Sequence, residues 1–105
     1  MNQVTLYGCA AGEPMKMQAG ATTKCRFKLA CKREYKNAAG EYETDFITIE
    51  AWSQLSEFLV QKLQKSDFCI IQGRIRSNSY QVQNETKYET IIVADRVVIT
   101  TKRGQ

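Results

Sequence analysis

The sequence predicts an all-β domain with a single helix, in which five strands close into a small barrel and the helix lies between the third and fourth strands. Three observations carry this. Apolar and polar residues alternate with period two through most of the chain. One stretch, after Ser53, switches to helical spacing. No repeat, linker or low-complexity block divides the 105 residues, a length that makes one domain and leaves no room for two lobes around a large cleft. Residues 1–100 are read as that domain and 101–105 as a short basic end.

In the first strand, Val4 and Leu6 alternate with Gln3, Thr5 and Tyr7 up to Gly8, and Ala10-Ala11-Gly12-Glu13-Pro14 breaks it. The second runs from about Lys24. Cys25, Phe27, Leu29 and Cys31 form an apolar face, and Lys24, Arg26, Lys28 and Lys32 a basic one. Asn37-Ala38-Ala39-Gly40 supplies turn residues for a loop. In the third strand, Thr44 to Trp52, Ile47, Ile49 and Ala51 share one side while Phe46, Thr48, Glu50 and Trp52 share the other. From Ser53, read as the N-cap, Leu55, Phe58, Leu59 and Leu63 recur on one helical face. The fourth strand begins at Phe68, with Cys69, Ile71, Gly73 and Ile75 inward and Gln72, Arg74, Arg76, Asn78 and Tyr80 outward. Gln83-Asn84-Glu85-Thr86 reads as a hairpin turn, and Lys87 to Thr100, rich in Ile and Val, as the last strand. Three strands, a helix and two more strands in a small basic chain is the order of an OB-fold barrel.

Composition removes several function classes. Histidine is absent, which takes away the commonest general base, metal ligand and partner of a catalytic nucleophile. Cys9, Cys25, Cys31 and Cys69 lack the paired spacing of zinc knuckles and read as small buried hydrophobes, so neither metal nor other cofactor is expected. Glu41, Glu43 and Asp45 lie at a strand entrance with no convincing paired acid nearby, a poor basis for a magnesium nuclease. The chain is therefore read as a non-enzyme. No apolar run reaches the roughly 18 residues of a membrane span, and the amino terminus lacks signal-peptide character, so the cytosol is expected and a membrane partner is not.

The formal net charge is only +4, but Lys16 to Lys36 holds seven basic residues against one acid, Glu34. Such an excess suits a polyanion, or a solvated strand face kept from edge aggregation by its lysines. Aromatic rings on a basic outer face decide more, because each leaves in water apolar area that a core position would bury. Phe46 and Trp52 stand six residues apart on one face, about 20 Å at ~3.3 Å per residue, and flank Glu50. Tyr80 joins Arg74 and Arg76, and Tyr35 lies among Lys32, Arg33 and Lys36. Unpaired bases offer π-faces to such rings while Lys28, Lys32, Arg33, Lys36, Arg74 and Arg76 track phosphates, which makes single-stranded nucleic acid the expected ligand. The structural alternative is that the rings cap a barrel end or bury in an oligomer contact. Tyr35 has the inward parity of Cys25 and Phe27, so it reaches the outer face only if a bulge or the end of pairing intervenes near Cys31 to Arg33.

Val4-Thr-Leu-Tyr-Gly8, Glu13-Pro14, Phe27-Lys-Leu-Ala30, Asn37-Ala-Ala-Gly40, Thr44 to Trp52, Gly73-Arg-Ile-Arg76 with Tyr80, and Val93-Ala-Asp-Arg-Val97, in that order, resemble the bacterial single-stranded DNA-binding protein family from about Asn2 to Ile99. The resemblance implies an OB-fold homotetramer, or in some members a dimer, that wraps single-stranded DNA in replication, recombination and repair. It also implies stacking roles for Tyr35, Phe46, Trp52 and Tyr80, and pairing of the first strand, Gln3, Val4, Thr5, Leu6 and Tyr7, across a two-fold axis. Members usually continue into a long tail with an acidic tip that recruits other proteins. This chain stops at Thr101-Lys-Arg-Gly-Gln105, as a core fragment or a naturally short version, and tail-mediated recruitment is not expected. A second resemblance is to primosomal replication protein N, a short dimeric OB-fold protein of replication restart. Length favours it, whereas Thr44 to Trp52 and Tyr80 favour the first family. An RNA-binding OB-fold would use the same stacking physics.

Overall fold

A computed structural model describes residues 1–101, so the basic end from residue 102 onward lies outside the described residues. Its elements are β1 (Val4–Ala10), β2 (Met15–Ala19), β3 (Thr22–Lys36), β4 (Tyr42–Trp52), α1 (Ser53–Lys62), β5 (Phe68–Val82) and β6 (Glu85–Thr101). The strands pair in the order β1-β5-β6-β4-β3-β2, and β1 also meets β3, which closes the barrel. Antiparallel ladders make most of it; β4 and β6 join in parallel through Ile49↔Ile92 and Glu50↔Val93.

One strand more is present than the sequence suggests, and by this numbering the helix lies between β4 and β5. The cause is a break in the first barrel strand. Cys9 and Ala10 of β1 pair with Ala30 and Leu29, and beyond the Ala11–Pro14 interruption β2 continues along the same β3 from Met15↔Arg26 to Ala19↔Thr22. Counted as one bent strand, β1 and β2 restore the five-stranded OB-fold barrel. The turn into β3 puts Gly20 at φ 63°, a conformation that favours glycine.

The interior is built from the alternation in each strand. Cys25, Phe27 and Leu29 of β3, Ile49 and Ala51 of β4, Cys69 and Ile71 of β5, and Ile92 and Ala94 of β6 are buried together, with Leu59 of α1 and Leu63 just after it packed on them. All four cysteines are free thiols. Burial pushes the Cys69 thiol up to about 11. At Gly73 the backbone of β6 comes so close that a Cβ would stand 2.1 Å from the Val93 carbonyl oxygen.

Four local expectations change. Ser53 is not the N-cap of α1: Trp52 holds that position with extended backbone and no side-chain cap bond, and Ser53 begins the helix at φ 55°. Phe58 is exposed while Ser56 is buried, because α1 meets the barrel along a narrow stripe that includes Ser56 and Leu59. Ile75 has the inward parity of its partner Ile92 but is exposed, and the β1 ladder that covers β5 ends short of it at Val4↔Gly73. The β5–β6 turn is also tighter than expected. Gln83 and Asn84, at φ 49° and 67°, make a two-residue connection whose handedness suits a twisted hairpin, so β6 starts at Glu85. The Asn37–Gly40 loop forms as expected, with the Asn37 side-chain oxygen accepting from the Ala39 and Glu41 N–H groups.

Candidate nucleic-acid interface

The register of β3 against β4 assembles one outward surface. Lys24↔Trp52, Arg26↔Glu50, Lys28↔Thr48, Ala30↔Phe46 and Lys32↔Thr44 are cross-strand partners, and every one of these side chains has the parity opposite to the buried Cys25, Leu29, Ile49 and Ala51. The surface continues over β6 to β5, where Arg76 and Tyr80 stand opposite Ile91 and Lys87. Ile91 and Val93 are buried on this outer side, apart from the barrel core, so the centre of the surface is packed.

Phe46 is 63% exposed and Tyr80 47% exposed, and neither enters the barrel. Trp52 is half-buried, with the Lys24 ammonium 5.0 Å from its ring centre. Tyr35 is exposed, on a stretch where every residue of β3 from Lys32 onward is exposed. The β3–β4 register slips between Lys32 and Lys36, but both lysines stand by Tyr42 and Tyr35 lies near Arg33, so the slip does not bring this ring to the side of Phe46.

Glu50 occupies the middle of the surface and is fully buried. Its Oε2 accepts from Arg26 Nε at 2.8 Å, and its Oε1 accepts from Trp52 Nε1 at 2.9 Å and Arg76 Nη2 at 2.5 Å. Lys24 Nζ lies 3.6 Å from Oε2. Burial pushes this carboxyl up, but the bonds from Arg26 and Trp52, with the charges of Lys24 and Arg76, outweigh it and hold the group below the usual carboxylate range.

The cations divide into two groups. Arg33 belongs to the opposite side of the β3–β4 hairpin, where it bonds Asp45 at 2.9 Å and Glu43 at 3.1 Å and holds the Asp45 carboxyl below its ordinary value. Arg74 meets Asp95 at 2.6 Å, and Arg76 is held by Glu50. Among the described residues no carboxylate pairs with Lys28, Lys32 or Lys36. Lys32 and Lys36 instead stand 4.9 and 5.8 Å from the Tyr42 ring centre. Tyr42 and Arg26 are surface members that the sequence reading did not select. Tyr42 shares the parity of Phe46 on β4, and that signal could have found it. A groove of about 490 Å³ beside Arg26, Lys28 and Thr48 is floored by Met15, Met17 and Phe27.

The expected oligomer residues lie on and just before β1. Gln3 precedes β1, and Val4, Thr5, Leu6 and Tyr7 pair with β5 along one edge. On its other edge β1 is paired, among the described residues, only through Cys9 and Ala10. Tyr7 stacks on Phe68 at 5.8 Å, and both rings are exposed, as is Val98.

Comparison with known proteins places this architecture. The profile of the single-strand binding protein family matches residues 1–100. Single-stranded DNA-binding protein 1 of Streptococcus pyogenes serotype M6 is 32% identical over 99% of this chain and 80% of its own length. Single-stranded DNA-binding protein 4 of Streptococcus agalactiae serotype V is 42% identical over 98% of this chain and 76% of its own. Single-stranded DNA-binding protein B of Bacillus subtilis is 31% identical over 91% and 87%. A closed OB-fold barrel, an outward surface of rings and cations, and a match across nearly the whole chain converge: the protein belongs to the single-strand binding protein family.

Proposed function

We propose that this chain binds single-stranded DNA without catalysis and with little regard to base sequence, covering strands exposed in replication, recombination and repair in the bacterial cytosol. The observation that carries the reading is the outward placement of Phe46, Trp52 and Tyr80 on one side of the barrel, with lysines beside them. Bases free of a duplex stack on such rings, and stacking is indifferent to base identity. Lys28, Lys32 and Lys36 neutralise phosphates directly. Arg74, paired at the surface, exchanges carboxylate for phosphate at little cost, because exposed ion pairs are weak, whereas Arg33 lies on the other side of the hairpin and would meet only a strand that wraps round it. Tyr35 is exposed on the same hairpin but has the parity of Arg33, so its stacking role rests on the family resemblance and not on a place in this platform. Family membership and the names of the relatives support the same ligand.

The test is a titration of the single tryptophan, Trp52, with polythymidine and with duplex DNA of matched length. Quenching by the single strand alone, weakening as salt rises, is the expected result. Equal quenching by both would refute stacking as the mechanism.

The protein acts as a homo-oligomer in this reading. The β1 edge from Val4 to Tyr7, unpaired among the described residues, and the apolar group Tyr7, Phe68 and Val98 are surfaces that a second copy would cover, by pairing β1 across a two-fold axis. Light scattering of the free protein distinguishes tetramer from dimer, and a monomer at micromolar concentration would overturn the assembly.

A further inference from the structure

We propose that Glu50 is a positioning residue that presets the centre of the binding surface, and that the arginines it holds, Arg26 and Arg76, shape this surface instead of neutralising phosphates. The inference rests on the single-strand binding reading above. Its observations are three hydrogen-bond donors and one ammonium from three strands meeting one fully buried carboxylate: Arg26 and, as an ion pair, Lys24 from β3, Trp52 from β4 and Arg76 from β5.

A carboxylate at this position is a poor choice for stability alone. Its neighbours on the outer side, Ile91 and Val93, are buried and apolar, and an apolar residue among them would avoid desolvating a charge. What the carboxylate supplies is geometry. With its N–H given to Glu50 and Lys24 against its ring, the Trp52 indole has one orientation before any base arrives, so little side-chain freedom is lost on stacking. Charge follows the same logic. Arg26 meets Glu89 at 3.1 Å as well as Glu50, so the cluster's three cations face two carboxylates and keep one net positive charge. A nearly neutral centre suits base planes, while Lys28 and Lys32 along β3 meet the phosphates. A guanidinium engaged with a carboxylate releases no counterion when DNA binds, and this makes the two roles separable by salt.

The test measures the affinity of each variant for a thymidine oligomer across a series of salt concentrations, together with the fluorescence anisotropy decay of Trp52 in the free protein. Lys28→Gln is expected to make the log–log salt slope shallower by about 0.7, the value for one phosphate contact on a single strand. Arg76→Gln is expected to weaken binding at every salt concentration and leave the slope unchanged. Glu50→Gln is expected to steepen the slope, by about 0.7 for each arginine it releases, and to add a fast component to the Trp52 decay. A slope loss in Arg76→Gln equal to that in Lys28→Gln overturns the proposal, as does a folded Glu50→Gln protein with wild-type slope and wild-type Trp52 decay. Should Glu50→Gln fail to fold, the comparison of Arg76→Gln with Lys28→Gln decides alone. If the wild-type protein does not prefer single strands, the binding reading itself has failed. The Trp52 decay, read without DNA, then still accepts or rejects the positioning role.

Discussion

Replacing Phe46 with alanine separates a ring that binds from a ring that folds. Phe46 is 63% exposed, so only about a third of its surface is covered by protein. For a ring that buries about 150–250 Å² when fully enclosed, this is at most about 90 Å², or roughly 2 kcal/mol at ~25 cal/mol per Å². Alanine keeps part of even that contact, so thermal unfolding should shift by only a few degrees. The expected loss in binding is larger. One base stacked on the ring is worth about 1–3 kcal/mol, a rise in Kd of about 5- to 160-fold. The assay is the anisotropy of a labelled thymidine oligomer at fixed salt, with thermal unfolding followed in parallel. Phe46 carries no charge, so the salt slope should stay at the wild-type value while the whole line moves to weaker binding. A variant that folds normally and binds with wild-type affinity refutes stacking at this position. A variant that loses its fold refutes the surface assignment.

Other consequences follow from the same geometry. Gly73→Ala would set a Cβ 2.1 Å from the Val93 carbonyl oxygen, which backbone alone must relieve, so the urea midpoint should drop by the equivalent of at least about 1–3 kcal/mol; an unchanged midpoint would contradict the β5–β6 contact. Leu29→Ala, at a fully buried site, should cost about 2–5 kcal/mol by the same measurement, and a loss below 1 kcal/mol would argue against the barrel core described here. Glu50 has a folded-state pKa below its unfolded value near 4.3, so its stabilisation is complete above that value and disappears as the pH falls through the depressed one. Urea midpoints measured from pH 6 to pH 3 should decline, and a midpoint that rises on acidification would reverse the sign. Cys69, with its thiol pushed up to about 11, should resist alkylation at pH 8 until the protein unfolds; rapid labelling of the native state would show that its strand opens.

The parts legible in the sequence are those set by local periodicity. Cys25, Phe27, Leu29, Ile49, Ala51, Cys69 and Ile71 alternate with polar neighbours, and each lies in the barrel interior where period two places it. The same rule puts Phe46 and Tyr80 outside. What the pattern could not show depends on contacts far along the chain. Met15-Lys-Met-Gln-Ala19 has no β-branched residue and extends only because β3 offers it an edge. Glu50 reads as an ordinary polar residue of an outer face, and its burial depends on Arg76, 26 positions away and carried in by β5. The arginines illustrate the same limit. Arg33, Arg74 and Arg76 look alike as charges in sequence, yet each is met by a carboxylate that only the sheet register brings to it. Ser53 marks the change of period correctly but starts the helix instead of capping it, because Trp52 keeps the extended backbone of β4 up to the junction.

Photochemical cross-linking tests the stacking platform most directly. A thymidine oligomer carrying iodinated uracil, irradiated in complex with the protein and mapped by mass spectrometry, joins bases to the rings they lie against. Cross-links at Phe46, Trp52 and Tyr80, absent when the same label sits in a duplex, are the predicted result. Cross-links confined to Tyr7 and Phe68, the exposed ring pair of β1 and β5, would contradict it.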